Sequence, residues 1–136
     1  MNLNFNKVVL LGRIASDIVY KDEPNKDKVS VLFLATNRKW KDRDGIKKEQ
    51  ATFHKVLFFG QVADIIHDLG SKGEIIMVEG RLQHKDIFDE KTNSYKKDVA
   101  IICERFQLGT ENFKEEEVIA KKIDISKLDD WNFDDI

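Results

Sequence analysis

The sequence predicts an all-β domain: a small closed five-stranded barrel with one short helix between its third and fourth strands, followed by a weakly ordered acidic tail. Three observations carry this. Long β-rich runs recur through residues 1–109, several of them interrupted by glycine. Only residues 61–69 switch to a helical period, and after Gly109 the β pattern gives way to charge. Long bent strands with one plugging helix favour closure, because a closed barrel leaves no open sheet edge.

The elements follow in order. FNKVVLLGRI (5–14) is an apolar run too short for a helix, with Gly12 marking a bulge or sharp bend. IVYKD (18–22) continues that strand past the bend, and EPNKDK (23–28) is a polar turn. VSVLFLAT (29–36) is the second strand. Val29, Val31, Phe33 and Ala35 share one face and Leu32 and Leu34 the other, so both faces are at least partly covered. Asp44-Gly45 signals a hairpin turn, and ATFHKVLFFG (51–60) is the third strand. In QVADIIHDL (61–69), Val62, Ile65, Ile66 and Leu69 form one helical face, ended by Gly70. EIIMVEGRLQHKDIF (74–88) is the fourth strand, with Gly80 a second bend. DEKTNS (89–94) is a turn and YKKDVAIICERFQLG (95–109) the fifth strand. The five-stranded oligonucleotide/oligosaccharide-binding (OB) barrel has this make-up, and a general α+β sheet is the alternative. Residues 110–136 read as a charged linker and acidic tail.

A chain of 136 residues fits one domain plus a tail and buries a core without metal or disulfide staples. Cys103 is the single cysteine, so no internal disulfide forms, which suits a reducing cytoplasm. No apolar run approaches a membrane span. No small-residue cleavage site follows the first apolar run, which therefore reads as a strand rather than a secretion signal. The net charge of −2 hides a split: residues 1–110 carry 19 Lys and Arg against 16 Asp and Glu, and residues 111–136 carry 4 against 9. The body can attract a polyanion and the tail cannot.

Catalysis has little support. His54, His67 and His84 have no paired Cys or His at metal-ligand spacing, and Cys103 lies in an apolar strand. There is no glycine-rich phosphate loop and no nucleophile motif, so we expect no metal and no cofactor. The stretch Arg38 to Lys48 is different. It sets Trp40 among six cations (Arg38, Lys39, Lys41, Arg43, Lys47 and Lys48) and two acids. Single-strand binders combine aromatic faces for base stacking with cations for phosphates. The alternative is that Trp40 folds back onto the barrel and the lysines solvate a turn. Phe53, one of the adjacent pair Phe58 and Phe59, and Phe88 also lie near cations and extend a stacking track.

These stretches resemble the bacterial single-stranded DNA-binding proteins. NKVVLLGRI (6–14) is similar to the family's opening strand. LATNRKWKD and KKEQATFHKVLFFGQVADI, within residues 34–65, follow its basic tryptophan loop, third strand and helix. SKGEIIMVEGRLQHKDIFDEKTNSYKKDVAI (71–101) follows its second half. The resemblance implies an OB barrel assembled as a homotetramer, cytoplasmic and nucleoid-associated, that binds single-stranded DNA in replication, recombination and repair. It implies stacking by Trp40, Phe53 and Phe59. A further family Trp falls at Ile87, with Phe88 next to it, so that Phe88 reaches the track only if a bulge restores its face. It implies phosphate contacts from Lys55, Lys72 and Lys85 beside Arg38, Lys39, Lys41 and Lys48, and a subunit contact at His54. Gln61 stands where the family commonly has Lys.

The end of the chain, LDDWNFDDI, sets Trp131, Phe133 and Ile136 among Asp129, Asp130, Asp134 and Asp135. The family ends in aspartates and a proline-phenylalanine tip that docks onto replication and repair proteins, so the resemblance implies a partner-binding tip here, with Ile136 in place of that ending. Two other readings remain open at this level: an OB barrel serving as an assembly or RNA-binding module, and a small nuclease.

Overall fold

The computed structural model of the protein describes residues 3–109. Its strands are β1 (Val8–Ile14), β2 (Val19–Lys21), β3 (Val29–Lys41), β4 (Lys47–Phe59), β5 (Ile75–Asp89) and β6 (Ser94–Leu108), with one helix, α1 (Gln61–Leu69), between β4 and β5. The sheet runs β1-β5-β6-β4-β3, and β3 returns to β1 through Arg13↔Ala35 and Ile14↔Leu34, which closes the barrel. Only β4 and β6 run parallel, through Val56↔Ile101 and Leu57↔Ile102. β2 pairs the other end of β3, from Val19↔Val31 to Lys21↔Val29, so β1 and β2 act as one barrel strand broken between Ile14 and Val19.

Two glycines sit where backbones touch. A Cβ on Gly12 would lie 2.2 Å from the carbonyl oxygen of Ala35, where β1 leaves β5 and meets β3. One on Gly80 would lie 2.0 Å from that of Ile102, at the register shift between Glu79 and Gly80. The irregularity expected at Gly80 is present, whereas the β1–β5 register runs unbroken through Gly12 and the strand breaks later, after Ile14.

Inside the barrel Ile14, Leu32, Leu34, Val56, Phe58, Ile76 and Val78 form the core, with Phe106 edge-on to Phe58 at 5.6 Å. Cys103 joins it, and burial pushes its thiol up to about 12. On the outer face, Val29, Val31, Leu57, Ala100 and Ile102 make a second buried cluster, so the central strands are covered on both sides. The helix contributes Ala63 and Ile66 to the interior. The helical face read from sequence is therefore rotated: Ile65 and Leu69 are exposed, because a nine-residue helix plugging a barrel end points inward over a narrower stripe than its apolar pattern offers. Tyr20 and Lys28 hold the helix from outside through Asp64, at 2.6 and 3.2 Å. That keeps the Asp64 carboxyl below its ordinary range and pushes the Tyr20 phenol up to about 12.

Two hairpins outgrow the barrel. β3 and β4 pair without interruption from Val29↔Phe59 to Lys41↔Lys47. Asp42 closes the tip by accepting the N–H groups of Asp44 and Ile46, both at 2.9 Å, with Gly45 at φ 77°. β5 and β6 stay paired to Asp89↔Ser94. No helix among the described residues is long and apolar enough to cross a membrane.

Candidate nucleic-acid interface

The β3–β4 ribbon carries most of the residues singled out in the sequence. Directly opposed residues share a face of a sheet, and so do alternate residues along a strand. Arg38, Trp40 and Lys48 thus lie on one face, with Trp40 opposite Lys48. The Arg38 guanidinium lies over the Trp40 ring, 4.4 Å from its centre, a cation–π contact that occupies one face of the indole and leaves the side chain 36% exposed. Lys39, Trp40, Lys41, Lys47, Lys48 and Glu49 line a concavity of about 480 Å³. Lys48 reaches toward Asp42 at 3.9 Å, at the edge of an ion pair.

Phe53, Lys55 and Phe59 lie on the opposite face of the ribbon. The track is therefore not one continuous surface: a strand touching Trp40 and Phe59 has to cross the ribbon. Phe53 is half-buried against Ala15, Ala35 and Ala51, which leaves part of its ring available. Phe59 is exposed and forms a wall of a groove of about 220 Å³ between the ribbon and the β5–β6 hairpin. Leu57 and Ala100 line the same groove, beside Gln83 and Lys85.

Lys55 stands apart from the other cations. Its side chain is 2% exposed, and its ammonium bonds the Asp98 carboxylate, itself 13% exposed, at 2.8 Å. In this structure it presents no charge to solvent. Lys85 and Lys72 are exposed, Lys72 in the turn between α1 and β5. Phe88 is exposed but faces away from the groove. The register from Gly80↔Cys103 to Asp89↔Ser94 is continuous, so no bulge turns Phe88 onto the face of Gln83, Lys85 and Ile87. Its ring meets its cross-strand partner Tyr95, edge-on at 5.2 Å. His54 is half-buried, shares a 2.9 Å hydrogen bond with Thr36, and has its imidazole pKa lowered by burial. The tail residues Asp129, Asp130, Trp131, Phe133, Asp134, Asp135 and Ile136 lie outside the described residues.

A model described as the Single-strand binding protein family matches residues 5–109. The chain belongs to that family. Single-stranded DNA-binding protein 1 of Chlorobaculum tepidum is 32% identical over 108 residues, 79% of this chain and 67% of the relative. The single-stranded DNA-binding protein of Helicobacter pylori is 35% identical over 92 residues, 66% of this chain and 51% of the relative, so the match spans about half that protein's length. Among solved structures, a complex titled Plasmodium falciparum SSB with ssDNA superposes with a TM-score of 0.72 at 26% identity, covering 82% of this chain and 99% of that one. A deletion mutant of the Thermus aquaticus single-stranded DNA-binding protein gives 0.68 at 26% identity, over 79% and 52% of the two chains.

Within this family member, two residues of the surface escape sequence reasoning. Asp98 is 43 positions from Lys55, and nothing local marks it as that lysine's partner. Tyr95 is signalled only weakly, by its position directly after the 89–94 turn. Among the described residues, no group of three or more His, Cys, Asp or Glu side chains is placed to hold a metal ion.

Proposed function

We propose that this protein binds and protects single-stranded DNA without strong sequence preference, as a non-catalytic, cytoplasmic, nucleoid-associated homotetramer serving replication, recombination and repair. The observation that carries the reading is the pairing of exposed rings on the β3–β4 ribbon with cations: Trp40 among Arg38, Lys39, Lys41 and Lys48, and Phe59 beside Lys85 of the facing β5–β6 hairpin. Rings stack on any base and cations follow the phosphates, so affinity needs no reading of base edges. Phe53 and Lys72 extend this surface. Phe88 and Tyr95 offer rings on the far side of the β5–β6 hairpin. The solved relative with bound single-stranded DNA supports the same use of the fold.

Assembly is supported by β1. Val8 and Leu10 pack toward the core, while Val9 and Leu11, with Leu3 and Phe5 before them, are exposed. Residues 8–12 pair β5 on one edge and no strand among the described residues on the other. An apolar stripe beside an unpaired edge suits a second copy of the chain. His54 is a candidate subunit contact.

The acidic tip recruits replication and repair proteins in this reading. Its Trp131, Phe133 and Ile136 side chains suit an apolar pocket, with Asp129, Asp130, Asp134 and Asp135 at a basic rim. Deleting residues 129–136 then leaves DNA affinity equal or higher and abolishes partner capture; a marked loss of DNA affinity overturns this role. The test of the main reading is a salt titration of tryptophan fluorescence with poly-dT in a Trp131→Phe background, with mass measured alongside. Strong salt-sensitive quenching and a tetramer mass are expected. No quench, or equal affinity for duplex DNA, overturns it.

A further inference from the structure

Lys55 and Lys85, two of the cations that the family resemblance marks for phosphate, both border one carboxylate. Lys55 bonds Asp98 at 2.8 Å, and Lys85 is the direct cross-strand partner of Asp98, on the same face of the hairpin. All three line the groove walled by Phe59. We infer that Asp98 is the protein's own stand-in for a backbone phosphate, which pairs with and orients Lys55 in the DNA-free protein and is displaced when DNA enters. This deepens the single-stranded DNA reading and rests on it.

The chemistry supports an exchange of anions. A carboxylate and a phosphate offer an ammonium the same kind of charge-assisted acceptor oxygen. Leu57 and Ala100 give the groove an apolar lining, so a lysine there needs an anion at all times. The groove opens beside the exposed Phe59 ring, which places a stacking face next to the anion position. A phosphate that enters has to compete with Asp98. Asp98 therefore weakens binding at this subsite and hides one cation from the salt dependence of the whole protein.

The test compares the wild type, Asp98→Asn, and the double variant Lys55→Gln with Asp98→Asn, by anisotropy of a labelled oligo-dT across a salt series. Asp98→Asn frees one cation, so its log–log salt slope steepens by about 0.7. Lowering salt from about 200 to about 50 mM then strengthens it about 2.6-fold more than wild type. The double variant, which has neither charge, has a slope no steeper than wild type. A folded Asp98→Asn protein with an unchanged slope or weaker binding overturns the inference, while wild-type binding leaves the DNA reading standing. Absence of wild-type binding removes both. Because Asp98→Asn leaves a buried charge and lowers stability, a second measurement uses the wild type alone. The Lys55 ε-methylene NMR signal shifts when oligo-dT saturates the protein, and an unmoved signal overturns the inference.

Discussion

Phe58 and Phe59 are chain neighbours with opposite surroundings: Phe58 is 0% exposed inside the barrel, and Phe59 is 40% exposed on its outer wall. The strand pleat alone separates them. Phe58 touches Phe106 and the core, so Phe58→Ala costs about 3–5 kcal/mol of stability. Phe59→Ala barely moves the unfolding midpoint but weakens oligo-dT binding by about 1–3 kcal/mol, the loss of one stacked base. Urea unfolding and DNA titration of both variants check the split. Equal stability losses would show that Phe59 belongs to the core.

Trp40 and Arg38 act together at the other end of the ribbon. In a Trp131→Phe background, emission from Trp40 reports binding directly. Trp40→Leu is expected to cost about 1–3 kcal/mol of binding free energy. Arg38→Gln removes a phosphate cation and the contact that orients the indole, worth about 0.5–1 kcal/mol at an exposed site. Its effect should therefore fall partly in the salt slope and partly in the depth of quenching. A change confined to the slope would mean that the 4.4 Å contact does not orient the ring.

The barrel is legible in the sequence because its strands are apolar and glycines mark two of its closest backbone approaches, at Gly12 and Gly80. The outer halves of β3 and β4 are not. Residues 37–41 and 47–50 read as a charged loop, yet they are paired strand, because a hairpin beyond the barrel has no core face and needs no alternation. That omission hides the geometry of the site: only the continuous pairing shows that Trp40 and Phe59 lie on opposite faces. Position alone marks Lys55 as a phosphate contact, and its buried ion pair with the distant Asp98 is not visible in the sequence. The Ile87–Phe88 question, open in the sequence, turns on one register fact, that the bulge lies back at Glu79 and Gly80.

Gly80→Ala tests that bulge. The added Cβ meets the Ile102 carbonyl oxygen at 2.0 Å, so backbone has to move. A loss of about 1–3 kcal/mol is expected, as for overpacking elsewhere. Displacing Gly80 also disturbs the hairpin carrying Lys85, so the variant should bind DNA less tightly even at temperatures where it is fully folded. Retention of wild-type affinity in the folded variant would show that the bulge serves stability alone.

His54 supplies a pH dependence with a defined sign. Burial lowers its pKa from the ordinary 6.5, so the unfolded chain takes up the proton at higher pH than the folded one. Where the unfolded state binds more protons, stability falls as pH falls. The contribution of His54 is therefore complete above about 6.5 and is lost as pH drops through its folded value. Asp64, Glu79 and Asp89 have pKa values lowered from 3.8, 4.5 and 3.8, through hydrogen bonds led by those from Tyr20, Lys7 and Lys96. Their stability is lost only in more acid solution, which leaves the window above to the histidine. The wild type should lose stability between about pH 7.5 and about pH 5.5, and His54→Gln should be flatter over that range. Parallel curves for the two proteins would assign the loss to another group.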